Sequence, residues 1–371
     1  MTTKQVSFSE DELLATHKAS EPLIAGGVRC HGGFDDDGNY VSPRTLHRVP
    51  AIEAWQELHR ENFGTEILDI PLETWPVHFP NLDQARYLIT SGVREPLVAT
   101  LTRIGTVEGF GANIRHLTPG DAQRYFDESI KGTATEHLGT GLFEAHGRDE
   151  AGFEEEAGHK DMWFAARDIA FENPAANIDV DAMLARMGFG QNRGGGGGGG
   201  MLERTLPDDI DGNLEAIASL MVRVLLIEIQ AFHTFAWAEQ WLSDDDLVAG
   251  DGEAAKIVRY IRADESPHVE YLKTALTEMR DRTWVGSSGK KYPGSEMIGR
   301  LWERGLDQSL GSGRRQNVHA VFNEVSHWCD QRPNGRDILE GFRALGDEGL
   351  LDDEDDSSDK NDKRDGQPVT Y

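Results

Sequence analysis

Cysteine is nearly missing from this sequence. Of 371 residues only Cys30 and Cys329 carry a thiol, so neither a disulfide framework nor a cysteine-rich zinc site can be built. Basic residues are also scarce. Lys and Arg total 37 against 65 Asp and Glu, a formal charge of -28, and no basic cluster is present. That argues against phosphate-backbone binding as a main activity, because neutralising phosphates takes grouped Lys and Arg. No run of 18 apolar residues occurs, which leaves no spanning helix, and the opening MTTKQVSFSEDELLATHKAS lacks an apolar stretch with a small-residue cleavage site. The expectation is a soluble cytoplasmic protein with reduced thiols and neither nucleic acid nor membrane as partner. Its 38% hydrophobic content supports a genuine core.

Residues 1–21 read as a polar arm. From 22 to 117 the chain mixes Gly, Pro and short apolar runs, which predicts an irregular extension of loops with short strands or helices packed on a larger body. Thr118 and Pro119 then provide an N-cap and a first helical residue, predicting a helix to about Leu138 that ends at Gly139-Thr-Gly141. A second helix spans about Leu142 to Phe171, stopped by Asn173-Pro174, although Gly147, Gly152 and Gly158 each weaken it by about 1 kcal/mol. A crossover at 174–211 contains seven consecutive glycines, Gly194 to Gly200, and reads as a flexible linker. The third helix is predicted from about Asn213 to Leu242 and the fourth from about Glu253 to Asp281. Further amphipathic helices occupy 286–345, around Ser295 to Leu310, Asn317 to Asp330 and Arg336 to Leu345. The remainder, 346–371, is an acidic tail with too few apolar residues to fold alone.

Two segments of equal spacing carry the chemistry. Glu156-Ala-Gly-His159 and Glu265-Ser-Pro-His268 each fall in a predicted helix, where positions three apart share a face. Glu228 lies within an apolar stripe of Ile217, Met221, Val224, Leu225, Ala231, Phe232 and Phe235, and a buried carboxylate is normally paired, neutralised or bound to metal. Counting from the turns puts Glu228 and Glu265 within about 3 Å of the same height on antiparallel helices. The same count pairs Glu128 with Glu156, with Glu136 and Glu144 as competitors. His233 is a further candidate ligand, and His137 and His146 share its ambiguity between ligand and structural histidine. Pro267 removes a helical hydrogen bond beside the second pair.

The order Glu, Glu-x-x-His, Glu, Glu-x-x-His on long helices resembles the ferritin-like carboxylate-bridged diiron proteins, over roughly residues 118 to 281. Ile261-Arg-Ala-Asp264-Glu265-Ser-Pro-His268-Val-Glu270 is similar to the second metal motif of their desaturases and monooxygenases. The resemblance implies a mainly α fold: a four-helix bundle over 118–285, with an irregular N-terminal extension and additional C-terminal helices. It implies a metal site of Glu128, Glu156, His159, Glu228, Glu265 and His268, with Glu136, Glu144 and His233 as alternative or additional ligands and no catalytic group beyond the ligands. The cofactor would be two iron ions, with manganese as the alternative, and each imidazole would be fixed by an outer acceptor such as Asp161, Asp168 or Asp264.

The function implied is a non-haem diiron oxidase or oxygenase that activates O2 to oxidise a small or carrier-bound organic substrate. No flavin, nicotinamide or haem motif is evident, so electrons would come from a separate reductase; a homodimer is compatible. Two alternatives stand beside this one: a ferritin-like iron-handling protein with ferroxidase activity, and a non-catalytic helical interaction module. Deleting the chain after Gly346 is expected to leave the melting temperature and metal content unchanged, and thermal unfolding with metal analysis checks it.

Overall fold

The computed structural model describes residues 5–174 and 204–347. The glycine run and the acidic tail after 347 lie outside the described residues. The chain is mainly helical. The arm contributes one capped turn, α1 (Glu10–Leu13), closed by reciprocal hydrogen bonds between Ser9 and Glu12. A small antiparallel sheet follows, β1 (Glu21–Ala25), β2 (Val28–Phe34) and β3 (Tyr40–Val41), in that order. Its first hairpin turns on Gly26 and Gly27, both in the left-handed region that favours glycine.

Three helices then appear where the sequence predicted loops with short elements: α2 (Arg48–Phe63), α3 (Leu82–Thr90) and α4 (Glu95–Gly111). Pro96 in the first turn of α4 and the run Leu97, Val98, Ala99 and Leu101 behind it account for that helix. Its glycines serve a close approach. A side chain at Gly105 would meet the Phe164 ring at 2.9 Å and the Lys160 carbonyl at 3.0 Å.

The helix predicted over 118–138 does not form. Gly120 and Gly132 both take positive φ, the stretch is irregular apart from one tight turn at Ala122–Tyr125, and only α5 (Ala134–His137) is α-helical. The predicted second helix is split into α6 (Phe143–Ala151) and α7 (His159–Ala170). Gly152, at φ +86°, ends α6, and a side chain on Gly158 would come within 2.3 Å of the Gly152 nitrogen, so this tight crossing admits only glycine. Ala157 N–H donates to the Arg29 carbonyl at 2.8 Å, tying the break to β2.

The third and fourth predicted helices match more closely: α8 (Gly212–Leu242), then α9 (Glu253–Asp264) and α10 (Ser266–Arg280), which meet at Glu265. Pro267 sits in the first turn of α10, where its missing N–H is tolerated. A hairpin of β4 (Thr283–Val285) and β5 (Lys291–Pro293) leads to α11 (Gly294–Leu306), α12 (Ser312–Asp330) and α13 (Gly335–Ala344). The last two pack with α3 through Phe79, Leu88, Val325, Ile338 and Phe342. Among the described residues no helix is long and apolar enough to cross a membrane.

Four rods run together, with α4 against α6 and α7, α7 against α9, and α8 against both α9 and α10. Their interior holds two apolar clusters. One contains Met221, Leu225, Leu272 and Leu276; the other contains Trp163, Phe235, Ile257 and Ile261. Along α8 the change from one cluster to the other falls between Ile229 and Ala231, and along α9 and α10 between Ile261 and Val269. Glu228, Glu265 and His268 lie at that seam.

The N-terminal half is fastened to the end of α10 by Asp281, which accepts from His59 Nε2 at 2.9 Å, from Arg280 Nε at 2.7 Å and from the Thr65 hydroxyl. Although burial opposes it, hydrogen bonds from Arg280, Thr65 and His59 hold the carboxyl down at about 2. A depressed carboxylate contributes stability that is complete above its unfolded value of 3.8 and is lost as pH falls through about 2. Asp281→Ala is therefore expected to cost about 1–2 kcal/mol at pH 7, after allowance for solvent screening, and almost nothing at pH 2. Urea unfolding of both proteins at the two pH values checks it.

Candidate metal centre

At the seam between the clusters, two quartets of side chains converge. His146, Glu150, Glu228 and His268 form one, Glu108, Glu150, His159 and Glu265 the other, and in each the four ligand-capable atoms lie within 4.8 Å of one another. Glu150 belongs to both. All seven residues are buried. Glu108 comes from α4, His146 and Glu150 from α6, His159 from the first residue of α7, Glu228 from α8, and Glu265 and His268 from the α9–α10 junction.

The imidazoles present defined atoms to the centre. His268 Nδ1 lies 2.7 Å from Glu265 and 3.2 Å from Glu150, while its Nε2 faces Asp149 Oδ2 at 2.9 Å. His146 Nε2 lies 3.4 Å from Glu228, and its Nδ1 meets the Tyr271 hydroxyl at 3.1 Å. His159 Nδ1 lies 3.0 Å from Glu265 and 3.6 Å from both Glu108 and Glu150, with Nε2 turned to Asp264 at 3.5 Å. Each ring thus has one nitrogen inward and the other on an outer group, as metal-binding histidines do. Of the outer acceptors anticipated, Asp264 faces a ring; Asp168 is bonded to Arg167 instead.

The outer groups are themselves anchored by the N-terminal segment. Asp149, fully buried, accepts from Arg44 Nε at 2.8 Å and from Arg48 Nη2 at 2.8 Å, and Asp264 accepts from the Tyr40 hydroxyl at 2.7 Å. Against the cost of burial, Arg44 and Arg48 hold Asp149 well below the usual carboxylate range. It is therefore an acceptor that holds a proton on His268 Nε2 and turns Nδ1 inward, toward Glu265.

Charge makes the case for a cation. Glu108, Glu150, Glu228 and Glu265 bring four carboxylates together, whereas of the outer pair Asp149 is balanced by Arg44 and Arg48 and Asp264 accepts from the Tyr40 hydroxyl. Two divalent ions would neutralise the four. In their absence burial, reinforced by the charges of Glu150 and Glu265, pushes Glu108 far above the carboxylate range, and Glu228 rises for the same reasons. Both Glu150 oxygens, Glu265 Oε1, His146 Nε2 and His159 Nδ1 are buried without a hydrogen-bond partner. Buried polar atoms are rarely left so, and these all point to one place. The donor set of carboxylates and imidazoles suits first-row divalent metals.

Four of the expected ligand positions, His159, Glu228, Glu265 and His268, are brought together. Glu156 is not among them, because the break at Gly152 removes it from any helix; it is partly exposed, 3.7 Å from Arg29 and 3.6 Å from His31. Glu128 lies in the irregular stretch and accepts from the backbone and hydroxyl of Thr283. Glu136 is exposed and accepts from Gly132 N–H, and Glu144 pairs with Arg148. His233 lies outside both quartets, with Nε2 buried and unpartnered; His137 is a structural histidine that accepts from Phe8 N–H.

Sequence reasoning missed Glu108 and Glu150 and left His146 open. Signals existed: Leu97, Leu101, Ile104 and Glu108 follow helical spacing, and His146 and Glu150 are four apart. The chain matches no family model, and neither a curated protein nor a solved structure proved similar to it.

Arg48→Met is expected to weaken binding of a metal ion at the His268 quartet by about 10–100-fold while leaving helical content intact, since outer partners of ligating histidines carry that weight. Competition with a chromophoric chelator, beside circular dichroism, measures both.

Proposed function

We propose that this chain is a non-haem diiron oxidase or oxygenase of the ferritin-like kind, acting with O2 on a small or carrier-bound organic substrate. The observation that carries the reading is the pair of buried quartets sharing Glu150, with unpartnered inward atoms. Glu108, Glu150, His159 and Glu265 would hold one ion, and His146, Glu150, Glu228 and His268 the other. Four rods around a carboxylate-rich centre are the setting in which such pairs are built. A bound iron pair supplies electrons and open coordination positions for dioxygen.

The chain's own groups prepare the place. Asp149, Asp264 and the Tyr271 hydroxyl orient the three rings before any ion arrives, so little rearrangement is needed on binding. Apolar clusters above and below, including Trp163 and Leu225, keep bulk water away and strengthen every electrostatic contact between them. Glu150 belongs to both quartets and would serve both ions.

Anaerobic loading with Fe(II), followed by O2 with and without candidate substrates, tests the reading. Two irons per chain and oxygen uptake stimulated by substrate are expected. Substrate-independent iron oxidation with mineral formation would favour iron handling instead, and a metal ratio near zero would leave the interaction module. Glu228→Gln should lower stoichiometry and lose O2-dependent turnover, with apoprotein stability equal or higher as a buried carboxylate disappears. Glu128→Gln and Glu156→Gln should bind metal as wild type does.

A further inference from the structure

The two quartets are not equivalent. One contributes two imidazole nitrogens, His146 Nε2 and His268 Nδ1, with Glu228 and the shared Glu150. The other contributes one, His159 Nδ1, with Glu108, Glu265 and the shared Glu150. Resting on the dinuclear reading above, we propose that the two positions differ in metal preference: the nitrogen-rich one selects Fe(II), and the oxygen-rich one accepts Mn(II) almost as readily.

The chemistry is that of the donor atoms. Imidazole suits iron and later first-row metals, whereas carboxylate oxygen suits harder ions such as manganese; exchanging one imidazole for one carboxylate shifts the balance toward the harder ion. Glu108 stands only in the oxygen-rich quartet and Glu228 only in the nitrogen-rich one, while Glu265 lies between the two, with Oε1 3.0 Å from His159 Nδ1 and Oε2 2.7 Å from His268 Nδ1.

Geometry keeps the difference from averaging out. His268 cannot swing across to the second position, because its Nε2 is held by Asp149 at 2.9 Å and Asp149 is held in turn by Arg44 and Arg48. His146 is stacked on the His268 ring, with centroids 4.0 Å apart and planes at 13°, and is tied to Tyr271. His159 opens α7 on the far side of the Gly152–Gly158 crossing, and its ring lies 5.9 Å from that of His268. Two rings therefore share one side as a packed unit, and the third stands apart.

The test is anaerobic displacement. Protein loaded with Fe(II) is equilibrated with rising Mn(II), freed of unbound metal and analysed for both elements. Wild type is expected to exchange in two steps of one ion each, with midpoints roughly tenfold or more apart in the Mn(II):Fe(II) ratio. His146→Gln, which replaces a nitrogen by an amide oxygen, should bring the second midpoint toward the first. Should that variant not fold, Glu108→Gln on the other side should move the first midpoint toward the second. A single two-ion step in wild type would overturn the proposal while leaving the dinuclear reading intact. Failure of wild type to take up two ions would overturn both, and two steps unmoved by either folded variant would overturn the assignment of positions.

Discussion

Everything in this molecule is arranged around the repulsion of four carboxylates buried within a few ångströms of each other. At such separations and in a protein interior, like charges cannot all remain ionised without positive charge beside them. Arg44 and Arg48 are near enough to help, yet both are spent on Asp149. The centre is thus left short of positive charge by design of the chain, and the imidazoles only partly meet that need. Against the cost of burial, Glu265 and Glu150 push His159 far above its ordinary range, and contacts with Asp149, Glu150 and Glu265 do the same for His268. His146 moves the other way, lowered by burial and by the neighbouring His268. One ring in three therefore stays neutral with its inward nitrogen unpartnered.

Such a seam is costly, and the fold shows where the compensation lies. The apolar clusters on either side of the polar layer, with Met221, Leu225 and Leu272 in one and Trp163, Phe235 and Ile261 in the other, hold the rods together by burying apolar surface above and below the centre. The N-terminal segment adds a second hold from outside the rods. Tyr40, Arg44 and Arg48 reach the outer acceptors of two different rings, and Gln56 and Asp281 fasten α2 to α10. A part of the chain that looks like decoration in the sequence is structurally continuous with the centre.

The legible portion of the fold was the portion with uninterrupted periodicity. Helix α8 has a single charged residue in the middle of a long apolar stripe, so both its extent and the role of Glu228 as a buried acid could be read directly. The α9–α10 pair is predicted as one helix, and across their junction at Glu265 the side chains of Glu265 and His268 still meet at 2.7 Å. What failed was the first pair of rods. Glycines at 105, 109 and 111 disguise α4 as loop, although Gly105 is there because α7 passes too close for a side chain. With α4 missing, the count of rods was completed by a helix over 118–138 that Gly120 and Gly132 do not permit. That helix put Glu128, rather than Glu108, in the first carboxylate position of the expected site, whereas the carboxylate that faces the centre is Glu108.

The Glu156-x-x-His159 spacing failed for a different reason. A three-residue interval aims two side chains together only where the backbone is helical throughout, and here Gly158, one half of the tight crossing with Gly152, lies within it. The consequence is a change of partner. His159 does not share a turn with a carboxylate of its own segment; as the first residue of α7 it projects into the centre from a helix start. Its carboxylate neighbours come from α4, α6 and the α9–α10 junction, so no local motif could have named them. The carboxylate that would have been its partner is replaced by Glu150, one residue beyond Asp149 at the end of α6. Adjacent residues on a helix diverge by about 100°, and that divergence sends Glu150 inward to both quartets while Asp149 turns to His268 Nε2 and the two arginines. One acidic dipeptide thus supplies both the shared inner group and the outer anchor, which is why the N-terminal arginines and the inner carboxylates are mechanically linked through a single turn of helix.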